Sequence, residues 1–345
     1  MTSFAVVGAG FRAAAYWRLA ARLEDVSCVG AVVRSPRRLP VPTYASIGAC
    51  LAAARPDFLV TALPHRVNAE VIAEAVERGV PVLSETPPAA DLPALRELWA
   101  AVGGSGLVQV AEQYLRMPTH AARAAAVRRG LIGTPHQVQV SSTQLYHAVS
   151  LIRGLLGAGR GPVTVRATRH RAPLVDPLDR AGWTGDPRPR PATTTIATLD
   201  LGGGRTGLYD FTTNQTRNQL RFRRILARGS HGELRDDEIV RLAAPRTIVR
   251  VPIVRHRTAD GLDTGHLSVG GQVLVRNPYA GLRWNDDEIA TATLLEGTAA
   301  WVRGTGPAPY PLAEGAQDQL VALAIEAAAD SGRTVTTAPE PWTVA

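Results

Sequence analysis

The sequence contains no lysine, so all 38 of its basic side chains are arginine. That absence excludes Schiff-base chemistry and any ammonium general acid, because a guanidinium does not release its proton in the working pH range. Cysteine is almost absent too. Cys28 and Cys50 are the only two, too few for a disulfide framework and without the spacing of a thiolate metal site. No HxxxH, CxxC or clustered carboxylate pattern occurs, and Asp236-Asp237-Glu238 and Asp286-Asp287-Glu288 read as solvated turns or helix starts. No metal is therefore expected. No serine lies in a nucleophile-elbow context, which argues against a triad hydrolase. No apolar run approaches the roughly 20 residues of a membrane span. The chain enters its first strand without a signal-peptide pattern, so a cytoplasmic location is expected.

What is present is a chain of 345 residues with 45% hydrophobic content, long enough for two domains. The net charge of +8 raises the question of nucleic acid. Its arginines are interleaved with acids, and no helix-turn-helix or aromatic RNA-binding motif appears. Neither a nucleic-acid nor a membrane partner is expected.

Phe4-Ala5-Val6-Val7 reads as a buried strand, with Gly8-Ala9-Gly10-Phe11-Arg12-Ala13 directly behind it and an alanine-rich helix after that. Strand, glycine turn and helix in that order make a dinucleotide fingerprint. Gly8 permits the tight turn, Gly10 admits a pyrophosphate to the backbone, and Ala13 allows close helix–strand packing. The helix N-terminus adds free N–H groups. An ordinary tight turn is the plainer alternative.

Strands are expected at Ser27–Val33, Asp57–Ala62, Val80–Leu83 and Leu107–Ala111, with helices at Ala13–Leu23, Ile47–Ala54, Asn68–Arg78 and Asp91–Val102. This alternation predicts an α/β domain built on a doubly wound parallel sheet. A ligand should lie beyond the carboxyl ends of its strands, at Gly8, Arg34, Leu63, Glu85 and Gln113. After the second strand, where an acid would accept from a ribose 2′-hydroxyl, the chain has Arg34-Ser35-Pro36-Arg37-Arg38. Guanidiniums and a hydroxyl suit a 2′-phosphate, which favours NADP over NAD; a solvated basic loop is the alternative.

GAGFRA, TALPHRVN, SETPP, AEQYLRMPTHAARAAAVRRGLIG, YHAVSLIRGLLG and EGAQDQLVALAIEAAADSGRTV follow one another along the chain. In this order the sequence resembles the Gfo/Idh/MocA family, the glucose–fructose oxidoreductase and inositol dehydrogenase relatives. The resemblance implies a Rossmann domain over 1–118 and, over 119–345, an α+β domain with an open, mostly antiparallel sheet. It implies NADP, with NAD as the other candidate, and a hydride passed to or from a small polar substrate, sugar-like or a carbonyl or imine. It also implies a homodimer or homotetramer. Gly8, Gly10, Phe11, Arg12 and Ala13 would surround the pyrophosphate, and Arg34, Ser35 and Arg38 the 2′-phosphate. Leu63, Pro64, Asn68, Glu85, Thr86 and Gln113 would complete the cofactor site.

The family's proton-transfer histidine matches His147, which Tyr146 and Tyr114 could assist; Tyr114 could equally be a packed aromatic. Thr86 stands where the family has the lysine of its Glu-Lys-Pro motif. Thr143 and Ser150 stand at aspartate positions, and Asn68 replaces a histidine. These neutral residues leave open a non-redox alternative: cofactor-assisted elimination or hydrolysis, or an NADP-binding regulatory protein.

In the second domain, helices are expected at Pro118–Gly130 and from His147 to Leu156, with strands at His136–Ser142, Pro162–Thr168, Thr193–Leu201, Arg205–Thr213 and Asn218–Arg228. Arg171–Pro191, rich in Pro, Arg and Gly, reads as a lid, a subunit-contact arm or a disordered loop. Thr258–Asn285 reads as irregular. A final helix is expected from Ala313 to Ala328.

Overall fold

The structure is a computed structural model, and it describes residues 1–35, 37–179 and 181–344. Pro36, in the basic loop after the second strand, and Arg180, in the Arg171–Pro191 stretch, lie outside the described residues. The chain forms two compact units. The first takes in Met1–Met117, Pro278–Gln317 and the terminal segment from Pro341; the second takes in Pro118–Asn277 and Asp318–Glu340.

The first unit is built on β1 (Thr2–Val7), β2 (Val26–Val32), β3 (Thr43–Tyr44), β4 (Phe58–Thr61), β5 (Val82–Ser84) and β6 (Val108–Val110). They form a parallel sheet in the order β3-β2-β1-β4-β5-β6. The order reverses beside β1, which makes the β1/β4 gap the switch point where such sheets bind ligands. β1 carries Phe4, Ala5, Val6 and Val7 all buried, because a parallel sheet covered on both faces needs no polar alternation. The helices are α1 (Phe11–Ala20), α2 (Ile47–Ala54), α3 (His65–Glu77) and α4 (Leu92–Val102). Ser46 and Asp91 cap α2 and α4 by accepting from Ala49 N and Ala94 N.

The second unit opens with α5 (Pro118–Arg128), β7 (Pro135–Ser141) and α6 (Leu145–Leu156), then β8 (Thr164–Leu174), β9 (Arg190–Asp200) and β10 (Thr206–Thr212). The hairpins β11 (Arg224–Gly229), β12 (Gly232–Arg235), β13 (Glu238–Ala244), β14 (Thr247–Arg257), β15 (Thr264–Val269) and β16 (Gln272–Arg276) follow. With a short late strand, Val335–Thr336, they make a sheet of 11 strands in which β7 and β10 are the parallel pair. Its other pairings are antiparallel. The expected α/β class with a mostly antiparallel second sheet is what forms.

Two stretches expected to be irregular are strand in part. β8 and β9 pair without a break from Thr164↔Asp200 to Leu174↔Arg190. This draws residues 171–174 and 190–191 out of the supposed loop. Pro173 faces Pro191 there, a pairing that needs neither missing N–H. Within 258–285, β15 and β16 form a hairpin around Gly270-Gly271, both at positive φ, the conformation of a two-residue hairpin turn.

The chain then returns to the first unit as α7 (Asp286–Val302), capped by a reciprocal Asn285/Glu288 box. Leu294, Leu295 and Ala299 of α7 enter the same buried cluster as Phe4, Val6, Tyr16 and Phe58. The units divide at Met117/Pro118, and residues 278–317 belong to the first unit. α8 (Leu312–Ser331) spans the next division. No helix among the described residues is long and apolar enough to cross a membrane.

Candidate functional site

Gly8 sits at φ +122°, where a Cβ would collide with the Ala62 carbonyl as well as strain the backbone. Gly10, the N-cap of α1, has nothing within 4 Å of where a Cβ would point. The turn is therefore tight on one side and open on the other, as close approach of a phosphate to the helix N-terminus requires. Ala13 behind it is fully buried in the core cluster.

A cavity of about 550 Å³ adjoins this turn. Gly8 and Gly10, Leu63 and Pro64 line it, and so do Arg34, Ser35 and Arg37 at the end of β2. Arg37, and not the expected Arg38, is the second guanidinium on its wall. The one acid on that wall, Glu74, accepts from Arg78. Phe11 lines a different cavity, on the outer flank of α1.

Arg12 is committed elsewhere. Its Nε donates to Glu85 Oε1 at 2.8 Å and its Nη1 to Asp287 Oδ2 at 3.2 Å. Tyr16 OH donates to the same Glu85 oxygen at 2.6 Å, and Gln113 Nε2 donates to Asp287 Oδ1 at 3.0 Å. Burial pulls the Arg12 pKa down, but the charges of Glu85, Tyr16 and Asp287 outweigh this and raise it. Burial, then Glu85, pushes the Tyr16 phenol well above its ordinary range, so it stays a neutral donor. Asp287 is the residue that sequence reasoning missed. Its acidic triplet is a helix start as expected, yet nothing local says that the helix ends against Arg12.

Beyond the carboxyl ends of the strands, buried polar atoms stand without a hydrogen-bond partner among the described residues: Thr61 Oγ1, Asn68 Oδ1, Gln113 Oε1 and Arg12 Nη2. Asn68 spends its amide on Ser84 Oγ at 2.8 Å and on the Glu85 and Pro88 carbonyls. Thr86, half-buried, precedes a cis Thr86–Pro87 bond. Buried unsatisfied polar atoms are uncommon, and their gathering at the ligand-binding edge fits a polar cofactor. The open Gly10 side, the cavity and these atoms together fit a nicotinamide dinucleotide.

Residues 2–113 match the profile described as an oxidoreductase family with an NAD-binding Rossmann fold, GFO_IDH_MocA. Over these residues the chain is similar to the Gfo/Idh/MocA oxidoreductases. Solved structures share the fold along nearly the whole chain. An oxidoreductase from Agrobacterium radiobacter, in complex with NAD+, L-tartaric acid and magnesium, is 16% identical with TM-score 0.72, covering 97% of this chain and 98% of its own. A myo-inositol dehydrogenase from Corynebacterium glutamicum is 20% identical with TM-score 0.67 over 98% and 99%. A levoglucosan dehydrogenase in complex with NADH and levoglucosan is 16% identical with TM-score 0.69 over 98% and 100%. At these identities it is the fold that is shared. No curated protein matches the sequence.

The Gfo/Idh/MocA reading directs attention to α6 in the second unit. Its first residue, Leu145, is held at φ +27°, an uncommon value for a side chain branched at Cγ, and its N–H donates to Tyr209 OH at 3.1 Å. Tyr146 and His147 follow, with ring centroids 5.7 Å apart and planes nearly perpendicular. Tyr146 is buried and His147 half-buried. Ser150 donates to the His147 carbonyl, and Thr143 Oγ1 is buried without a partner among the described residues. Tyr114 belongs to the first unit, where its N–H is donated to Glu112 Oε1.

Proposed function

We propose that the chain is an NADP(H)-dependent oxidoreductase that passes a hydride to or from a small polar, sugar-like or carbonyl or imine substrate. The observation that carries the NADP preference is the cavity wall at the end of β2, where Arg34, Ser35 and Arg37 stand together. Two guanidiniums and a hydroxyl would hold a 2′-phosphate by charge-assisted bonds.

In this reading Gly8 and Gly10 admit the pyrophosphate to backbone N–H groups, and Asn68 and Gln113 offer carbonyl oxygens to the nicotinamide end. A bound nicotinamide supplies or accepts the hydride. His147 moves the proton at the substrate oxygen or nitrogen, a task for which an imidazole is suited near neutral pH. With no lysine in the chain and Thr86 and Thr143 unable to titrate, this reading assigns the proton to His147. Tyr146 orients it, and Tyr114 stands as a further phenolic candidate.

Calorimetry with NADP(H) and NAD(H) on the wild type, Arg34→Ala/Arg37→Ala and Arg38→Ala tests the cofactor. NADPH should bind the wild type and Arg38→Ala alike and lose about 100-fold in the double variant, for two charge-assisted contacts. No binding of either dinucleotide would refute the oxidoreductase. For the proton role, His147→Gln should leave NADPH affinity unchanged while turnover in a substrate screen falls by about 10²–10⁴. Full activity in that variant would remove His147 from the mechanism.

A further inference from the structure

We propose that the second unit carries a site for a small organic anion, a carboxylate or phosphate on a compact, partly apolar body, on the sheet face turned away from His147. The alternation along β10 defines that face. Gly207 packs against Ile152 of α6, and Tyr209 bonds Leu145. Asp210 and Thr212 therefore project from the opposite side, together with Thr194 and Arg224, their in-register neighbours across β9 and β7.

A cavity of about 320 Å³ is formed on that side, lined by Arg221, Arg224, Asp210, Thr194, Thr212, Gln215 and Phe222. Phe222 is 87% exposed, which leaves its ring free to cover a ligand's apolar face. The connection between β10 and β11 supplies Arg217, Arg221, Arg223 and Arg224 in close succession. The side chains of Arg217 and Arg223 have no hydrogen bond or ion pair among the described residues. Arg221 gives one donor to the Leu220 carbonyl at 3.1 Å and keeps the rest of its fork. One acid lines the cavity and a second pins its loop. Asp210 is paired with Arg224 at 2.8 Å, and Asp176 accepts from the amides of Asn214 and Asn218. Cations remain in excess.

The loop that presents these arginines is pinned from within, so its geometry is set before a ligand arrives. Buried Gln215 accepts from Thr212 N and donates to the carbonyls of Ser141 and Phe222. Buried Asn218 donates to the Val175 carbonyl and Asp176. A fixed loop that brings the largely unspent Arg221 fork, beside the paired Arg224, to a hydroxyl-lined cavity is an arrangement suited to an oxyanion. The aromatic rim would cover the apolar face of the body that carries it.

Thermal shift titrations at constant ionic strength, with inorganic phosphate and with phenyl phosphate as probes, test the site. The Arg34→Ala/Arg37→Ala protein serves as background so that phosphate cannot be read from the dinucleotide cavity. A saturable rise in Tm is expected with both probes. Arg221→Ala, an exposed position, should weaken both by about tenfold. Phe222→Ala should weaken phenyl phosphate by about threefold or more and leave inorganic phosphate unchanged. Shifts no larger than matched sodium chloride gives, or shifts unchanged in Arg221→Ala, overturn the site. Either result leaves the cofactor reading standing, since NADPH binding is measured separately.

Discussion

Asp287 accepts a hydrogen bond from Arg12 across 275 residues of sequence, at 3.2 Å, and so ties the glycine-loop helix to the start of α7. Its other oxygen holds Gln113, so one carboxylate fixes two residues of the candidate cofactor edge. Asp287→Asn keeps the volume and removes the charge. Because Asp287 is 43% exposed, the stability loss should stay below about 1 kcal/mol. Dinucleotide affinity should nonetheless fall several-fold in calorimetry. A variant that loses stability but binds normally would make Asp287 a merely structural residue.

Glu85 is a heavier participant, since one of its oxygens accepts from both Tyr16 and Arg12. Glu85→Ala leaves a fully buried phenol and a largely buried guanidinium without their acceptor. A cost of about 2–4 kcal/mol is expected, read from urea unfolding. Glu85→Gln should recover part of it through the retained acceptor oxygen.

In the second unit, Arg153 and Asp318 form an ion pair at 2.5 Å with side-chain exposures of 4% and 0%. Removing one partner of such a pair typically costs about 3–5 kcal/mol, while replacing both with apolar residues costs far less. Asp318→Ala should therefore unfold at clearly lower denaturant than Arg153→Met/Asp318→Leu. Equal midpoints would mean that packing, not charge, governs the site.

Burial pushes both thiols, Cys28 and Cys50, up to about 11. Their folded pKa lies above the unfolded value, so their contribution to stability is complete below pH ~8.5 and is lost as pH rises toward 11. Melting temperature should hold level to about pH 8.5 and then decline, and Cys28→Ser/Cys50→Ser should decline less. Alkylation of the native thiols at pH 8 should be slow, rising roughly tenfold per pH unit. Fast labelling at pH 8 would contradict the raised values.

The first sheet was legible because its strands are short apolar runs, each closed by a turn or cap residue such as Gly8, Ser46 or Asp91. α1 begins at Phe11, two residues before the expected Ala13, because Gly10 already serves as its N-cap. The β15–β16 hairpin had its signal in Gly270-Gly271, hidden by a stretch otherwise rich in turn residues. α7 was harder for a physical reason. Ile289, Ala290, Ala292, Leu294, Leu295 and Ala299 are buried around much of its circumference, so no one-sided stripe marks it as a surface helix. Nor does local sequence state which sheet a helix will join. The glycine turn and the basic end of β2 were readable as a candidate cofactor site; the Arg12–Asp287 tie and the Arg37 wall depend on contacts that only folding brings together.

The interrupted path of the first unit bears on how the protein is made. A ribosome emits β1–β6 early, but Leu294, Leu295 and Ala299, which close the core around Phe4 and Tyr16, come much later. At ordinary elongation speeds the roughly 160 intervening residues take about 8–30 s. For that interval the nascent parallel sheet waits with an uncovered apolar flank. The tie between Arg12 and Asp287 is among the last bonds the newborn chain can close.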